Sequence, residues 1–213
     1  MHPSTMKKSV SRTLTSAVLI LLISFPFLHA QKIEVIPFAG YQTSAKIPSV
    51  NGDFRVNDGM NYGVSLDLGS GDAGYKVFIS YSRQGSMLEL TDTVSITSTI
   101  CDLAVHYISI GGQIEFFQGD MIVPFTKLGL GTTIYQPLNS DIASERVMHF
   151  NIGGGAKIFF NDNFGVRFQS SLLLPIFFEG YLFEEGAPPP GEGMKTRIAG
   201  VQGDFTAGLI ARF

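Results

Sequence analysis

Chemistry needs a nucleophile with its base, a set of metal ligands, or a cradle for phosphate. This chain of 213 residues has four histidines and one cysteine to offer. Cys101, being alone, can build neither an intramolecular disulfide nor a thiol metal or redox motif. His106 and His149 fall in different strand-like segments, and no acid is spaced to complete a metal site with them. His149 and Ser171 share the polar face of their segments. A tight turn at 161–163 would set residue 149 opposite about residue 175, so Ser171 lies about four positions away, roughly 13 Å at strand rise. That is beyond hydrogen-bond reach for a base and its nucleophile. The glycine groups at 129–131 and 153–155 precede neither a Gly-Lys-Ser/Thr triplet nor a helix, so they are not phosphate loops. These residue types predict no catalytic, cofactor or metal site.

What remains is charge. Glu34, Asp67, Lys76, Glu115, Lys127, Lys157, Arg167, Asp204 and Arg212 lie on the polar faces of alternating segments. Acids and bases are nearly balanced. In a narrow, poorly solvated space such charges must pair. Arg212 is expected to meet Glu34 if the last strand lies beside the first, and Glu115 to meet Lys127 on the neighbouring strand. Paired, they form a plug. A selective ion path would carry an excess of one sign.

The elements that hold these charges read as strands. Period-two alternation picks out residues 33–43, 61–69, 74–84, 102–116, 121–135, 147–160, 164–178 and 198–213. Most are at least as long as the roughly 9 to 11 residues that a tilted strand needs to cross a bilayer. The last segment, GDFTAGLIARF, shows the pattern well. Phe205, Ala207, Leu209, Ala211 and Phe213 share one apolar face, and mostly small or polar residues share the other.

The connections sort into two kinds. Those at 70–73, 118–120 and 161–163 are short and rich in Gly, Asn and Asp, which tolerate tight turns. Those at 44–60, 85–101, 136–146 and 179–197 are long, and the last contains Pro188, Pro189 and Pro190. Long and short alternate strictly, which in an up-and-down barrel places tight turns at one end and long loops at the other. Within 85–101, two strand-like stretches flank residues 91–93, so the neighbouring strands could run on as a protruding hairpin.

Composition agrees. Charged residues make up 15% of the chain, against roughly 25% in a typical soluble domain. The formal net charge of −3 argues against nucleic acid as a partner. Residues 1–30 read as a removable signal peptide: Lys7, Lys8 and Arg12, then an apolar run at 17–25, Pro26, and a small-residue cleavage site ending at Ala30. No apolar run is long enough for a transmembrane helix. Residues 31–213 form the folded domain.

The two faces decide the environment. One carries large apolar residues such as Ile108, Ile110, Ile114, Phe150, Ile152, Phe168 and Leu172. The other is dominated by Gly and Ser, with about one charge per strand. A soluble barrel would need a water-facing surface rich in Lys, Glu and Thr. The Gly/Ser face instead suits the narrow interior of an eight-stranded barrel, and the large apolar face suits lipid. Tyr75, Phe116, Phe160, Phe164 and Phe213 fall near the short-turn end, and Tyr41, Phe177 and Phe178 near the other, as two interfacial girdles would. The expected fold is all-β: an eight-stranded antiparallel up-and-down transmembrane β-barrel.

On these features the chain resembles the small outer-membrane β-barrel family, which includes OmpX-like proteins and the transmembrane part of OmpA-like proteins. FTKLGLG at 125–131 and GGGAKIFFNDNFGVR at 153–167 look like strand-turn-strand phrases of such barrels from the Bacteroidetes lineage. The resemblance implies an outer-membrane location, contact with outer-membrane lipid, and a monomer. It also implies that Phe213, with Leu209 and Phe205 on its face, is the signal read by the barrel-assembly machinery. A lipid-deacylating barrel would need His and Ser two positions apart on one lipid-facing strand, and no such pair occurs. The expected role is therefore non-enzymatic: a plugged barrel that is structural or binds an extracellular ligand through its long loops. The alternative is a small channel for ions or solutes.

Overall fold

A computed structural model describes residues 31–48, 52–70, 74–92, 97–117, 121–138, 144–177, 197–198 and 200–213. The leader expected over 1–30 and the girdle residue Phe178 lie outside these residues. The strands are β1 (Gln31–Gln42), β2 (Ala45–Pro48), β3 (Gly52–Val56), β4 (Gly59–Ser70), β5 (Tyr75–Asp92), β6 (Thr97–Glu115), β7 (Ile122–Leu138), β8 (Glu145–Phe159), β9 (Phe164–Phe177), β10 (Arg197–Ile198) and β11 (Gln202–Arg212). Among the described residues there is no helix.

Eight of these strands hydrogen-bond in a ring, in the order β1, β4, β5, β6, β7, β8, β9, β11 and back to β1. Closure leaves no edge within the ring, which is what a strand structure in hydrocarbon requires. The seam runs from Glu34 opposite Arg212 to Gln42 opposite Asp204. Ile33 and Phe213 extend it with two backbone hydrogen bonds of 2.9 and 3.1 Å. The 161–163 turn is tied to the seam as well. Asn161 Oδ1 accepts from the amides of Asn163 and Phe164, and the Asn163 side-chain amide donates to the Arg212 carbonyl at 3.0 Å.

The alternation resolves as apolar out, polar in. On β6, Ile110 is 55% exposed while Gln113 is 1% exposed. A water-soluble barrel would bury the first and expose the second. Tyr75, Phe116, Phe160, Phe164 and Phe213 are all exposed at the short-turn end, and Tyr41 is exposed toward the other.

At the long-connection end the protruding hairpin raised for 85–101 is present, and part of the 44–60 connection is strand as well. β5 and β6 run on as one hairpin, with a register shift between Leu88 and Glu89. The connection at 44–60 contains the β2–β3 hairpin, and β3 pairs with β5 beyond the point where β4 stops. β10 adds a short pairing to the end of β9.

The interior also changes character here. Val56, Leu88, Leu103, Val105, Tyr135 and Leu173 are buried together in an apolar cluster inside the mouth. The lumen is thus not Gly- and Ser-lined along its whole length, as the inward residues of the spanning segments suggest. On β6 the apolar residues move from the outer face (Ile108, Ile110) to the inner face (Leu103, Val105). Such an inversion is what a strand passing from lipid to water would need. Truncating Leu88 to alanine is expected to destabilise the mouth by about 2–5 kcal/mol. Hydrogen exchange of the β3 amides should then accelerate, while exchange on β8 and β9 stays unchanged.

Candidate functional site

The candidate site is the barrel interior, and it is built in three layers. At the short-turn end lies a network of charges. Lys157 on β8 contributes an ammonium with no solvent exposure, and three carboxylates surround it. Its Nζ donates to Glu34, to Asp67 at 3.0 Å and to Glu115 at 2.7 Å. Lys76 bridges Glu34 and Glu115, the latter at 3.0 Å. Arg167 donates to Asp67 at 3.1 Å and to Gln113 and Gln169. Arg212 donates to Glu34 from Nε and Nη2, at 2.9 and 2.7 Å.

Seven strands supply these groups, so the network laces the cylinder across its diameter. Lys157 and Arg167 stand directly opposite each other across β8 and β9. Such like charges repel. Here they share Asp67 as a counter-ion and flank the Phe125 ring, Arg167 at 4.5 Å and Lys157 at 5.7 Å from its centroid. Arg212 also covers the Phe159 ring at 3.7 Å.

One expected pair does not form. Glu115 faces Phe125 across β6 and β7, and Lys127 faces Gln113. That offset turns Glu115 toward Lys76 and Lys157. Lys127 instead lies over the Phe78 ring, 4.4 Å from its centroid, with no carboxylate in ion-pair distance among the described residues. Asp204, at the other end of the polar interior, accepts a hydrogen bond from Asn61 rather than an ion pair. The network therefore joins Glu34, Asp67, Lys76, Glu115, Lys157, Arg167 and Arg212, and leaves Lys127 and Asp204 apart from it.

The middle layer contains a contact that the sequence did not reveal. His149 spans Ser109 and Thr133: Nε2 is 2.8 Å from Ser109 Oγ and Nδ1 is 2.9 Å from Thr133 Oγ1. Ser109 and His149 lie two strands apart, on β6 and β8, with Gly131 directly between them. A Cβ at Gly131 would sit 2.6 Å from the imidazole. Gly131 is therefore the space in which the ring lies. His149 faces Pro175, not Ser171, whose cross-strand partner is Gly153. Three residues from three strands, one of them linked through a missing side chain, leave no signal in linear spacing.

This serine–histidine contact is not arranged as a hydrolytic site. The group behind the imidazole is a neutral hydroxyl, whereas a nucleophile-activating histidine is oriented by a group that stabilises its cation. His149 is fully buried, and its ring stands edge-on to Tyr107 at 5.9 Å. Among the described residues no cluster of His, Cys, Asp and Glu could hold a metal. A cavity of about 30 Å³ lies beside this layer, near Ser65, Ser80, Lys127, Asn151 and Asp204. That is room for about one water. The third layer is the apolar mouth cluster already described.

The outward face of β11 presents Phe205, Leu209 and Phe213, all exposed.

No protein-family model matches the sequence, and no curated protein matches it. Solved structures do. Neisserial surface protein A is 12% identical, with a TM-score of 0.58, over 85% of this chain and 97% of its own. The outer membrane protein OprG from Pseudomonas aeruginosa is 11% identical, with a TM-score of 0.59, over 86% of this chain and 96% of its own. At such identities the likeness is one of fold: a closed, eight-stranded antiparallel barrel. It does not support the Bacteroidetes lineage that residues 125–131 and 153–167 suggested.

Proposed function

We propose that the chain is an outer-membrane barrel with a sealed interior, whose work is done at the long-connection end as a structural or surface-interaction protein. The observation that carries this reading is Lys157, an unexposed ammonium held by Glu34, Asp67 and Glu115 inside the barrel toward its short-turn end. An ion crossing the lumen would have to part these pairs in a poorly solvated space. It would then meet the apolar cluster at the mouth, which offers it no ligand. The outward Ile, Leu, Val and Phe residues, and the aromatic girdle, support lipid as the surrounding medium. In this reading residues 1–30 direct export and residues 31–213 fold as a monomer. The barrel-assembly machinery would read the outward Phe205, Leu209 and Phe213. An extracellular ligand would meet the ordered hairpins β2–β3 and β5–β6.

Planar-bilayer recording of the refolded barrel tests the seal. Electrical silence over a range of voltages is expected. Steady unitary conductance would overturn the sealed reading in favour of a small channel.

A further inference from the structure

The outer wall carries a second charged feature, separate from the lumen. Cross-strand register aligns Tyr62 on β4 with Arg83 on β5, Arg83 with His106 on β6, His106 with Ile134 on β7, and Ile134 with Arg146 on β8. These residues share the outward face. On three strands the row begins two positions beyond an exposed apolar residue: Arg83 follows Tyr81, His106 precedes Ile108, and Arg146 precedes Met148. On β5, β6 and β8 the outward face thus turns from apolar to basic at this row, toward the long-connection end, while Ile134 stands within it and Met60 and Met87 are exposed beyond it.

The basic groups are held but not neutralised. Arg83 Nη1 donates to the Tyr62 hydroxyl at 2.9 Å, which leaves most of its guanidinium donors free for another acceptor. The Tyr81 hydroxyl and His106 Nδ1 lie 2.9 Å apart, and their rings stack at 6.1 Å. Among the described residues neither Arg83 nor Arg146 forms an ion pair. Of the outward acids on these strands, Asp102 is four positions from His106 and Glu89 is six from Arg83, roughly 13 and 20 Å at strand rise. Glu145, beside Arg146, belongs to the inward face, opposite Tyr135. From Arg83 to Arg146 the row crosses three strand spacings, about 14 Å.

We infer that this row binds the phosphate-bearing headgroup of a membrane lipid whose acyl chains lie along the apolar wall beneath it. The inference rests on the membrane reading above. The guanidinium fork matches phosphate oxygens. The position, at the rim of the belt rather than above it, selects a lipid over a soluble anion. The width of the row suits a headgroup with two separated phosphates.

The test uses the full barrel in phosphatidylcholine nanodiscs doped with a bisphosphorylated glycolipid or with its dephosphorylated counterpart. Lipid retained after detergent extraction is measured by native mass spectrometry. The phosphorylated glycolipid should be retained and the dephosphorylated one lost. Arg83→Gln combined with Arg146→Gln should cut retention by about tenfold or more, the scale of charge-assisted hydrogen bonds. Arg55→Gln, on the β2–β3 hairpin, should leave it unchanged. Equal retention of the two lipids, an unaffected double variant, or displacement by inorganic phosphate would overturn the inference while the membrane reading stands. A barrel that enters neither bilayer would overturn both.

Discussion

Replacing Lys157 with methionine is expected to destabilise the barrel by about 3–5 kcal/mol, the usual result of removing one partner from a buried ion cluster. The reason lies in what is left behind. Glu34, Asp67 and Glu115 converge on one ammonium, and all three are buried. Without it, carboxylates from three strands face one another across a space too narrow to hydrate them. Lys76, Arg167 and Arg212 can compensate only in part, because each is already engaged with the same acids. Urea unfolding of the refolded barrel, followed by the mobility shift between folded and unfolded forms in a gel, reads the loss directly. Pairing Lys157→Met with Asp67→Asn should cost less than the sum of the single changes, since the two groups share one interaction. Strict additivity, or a single variant as stable as the parent, would show that the network does not hold the cylinder together.

The second large effect concerns a residue with no side chain. Gly131→Ala should destabilise by about 1–3 kcal/mol or more, the range for overpacking a dense interior. An added Cβ would come within 2.1 Å of the Ile108 carbonyl oxygen and 2.6 Å of the His149 ring. The carbonyl belongs to the backbone of the neighbouring strand and cannot swing aside. The imidazole can, but only by leaving Ser109 or Thr133. Gly112→Ala is the matched control. It lies on the outward face of β6, where an added Cβ meets nothing within 4 Å, and it should be near neutral. Thermal unfolding in detergent separates the two. Equal effects would mean that the glycines serve the backbone alone and not the lumen.

The barrel itself was legible because two signals are linear in the chain. Alternation such as that from Ile108 to Phe116 sets the strands, and the alternation of short and long connections sets their direction and closure. The charges were also findable, since each occupies an inward position by parity. Their partners were less so. Parity says which side a residue takes, but the depth of each side chain depends on inter-strand stagger, and an offset of two residues moved Glu115 from Lys127 to Lys157. The mouth was misread for a different reason. Past Tyr107 the inner face takes the large apolar residues, so the same alternation carries the opposite meaning, and Leu103 and Val105 point inward. The Ser109–His149 bridge is the hardest case, because its geometry is set by an absence at Gly131 on the strand between.

The polar stopper near the turns and the dry one at the entrance are made by different forces. Salt, acid or the loss of one lysine weakens the first and leaves the second standing; a lost leucine does the reverse. Under the sealed reading proposed above, a leak would need both to fail at once, so the tube should stay watertight through damage that already shows in its melting. Integrity of the seal and resistance to unfolding are in this sense separate properties, which selection can trade independently.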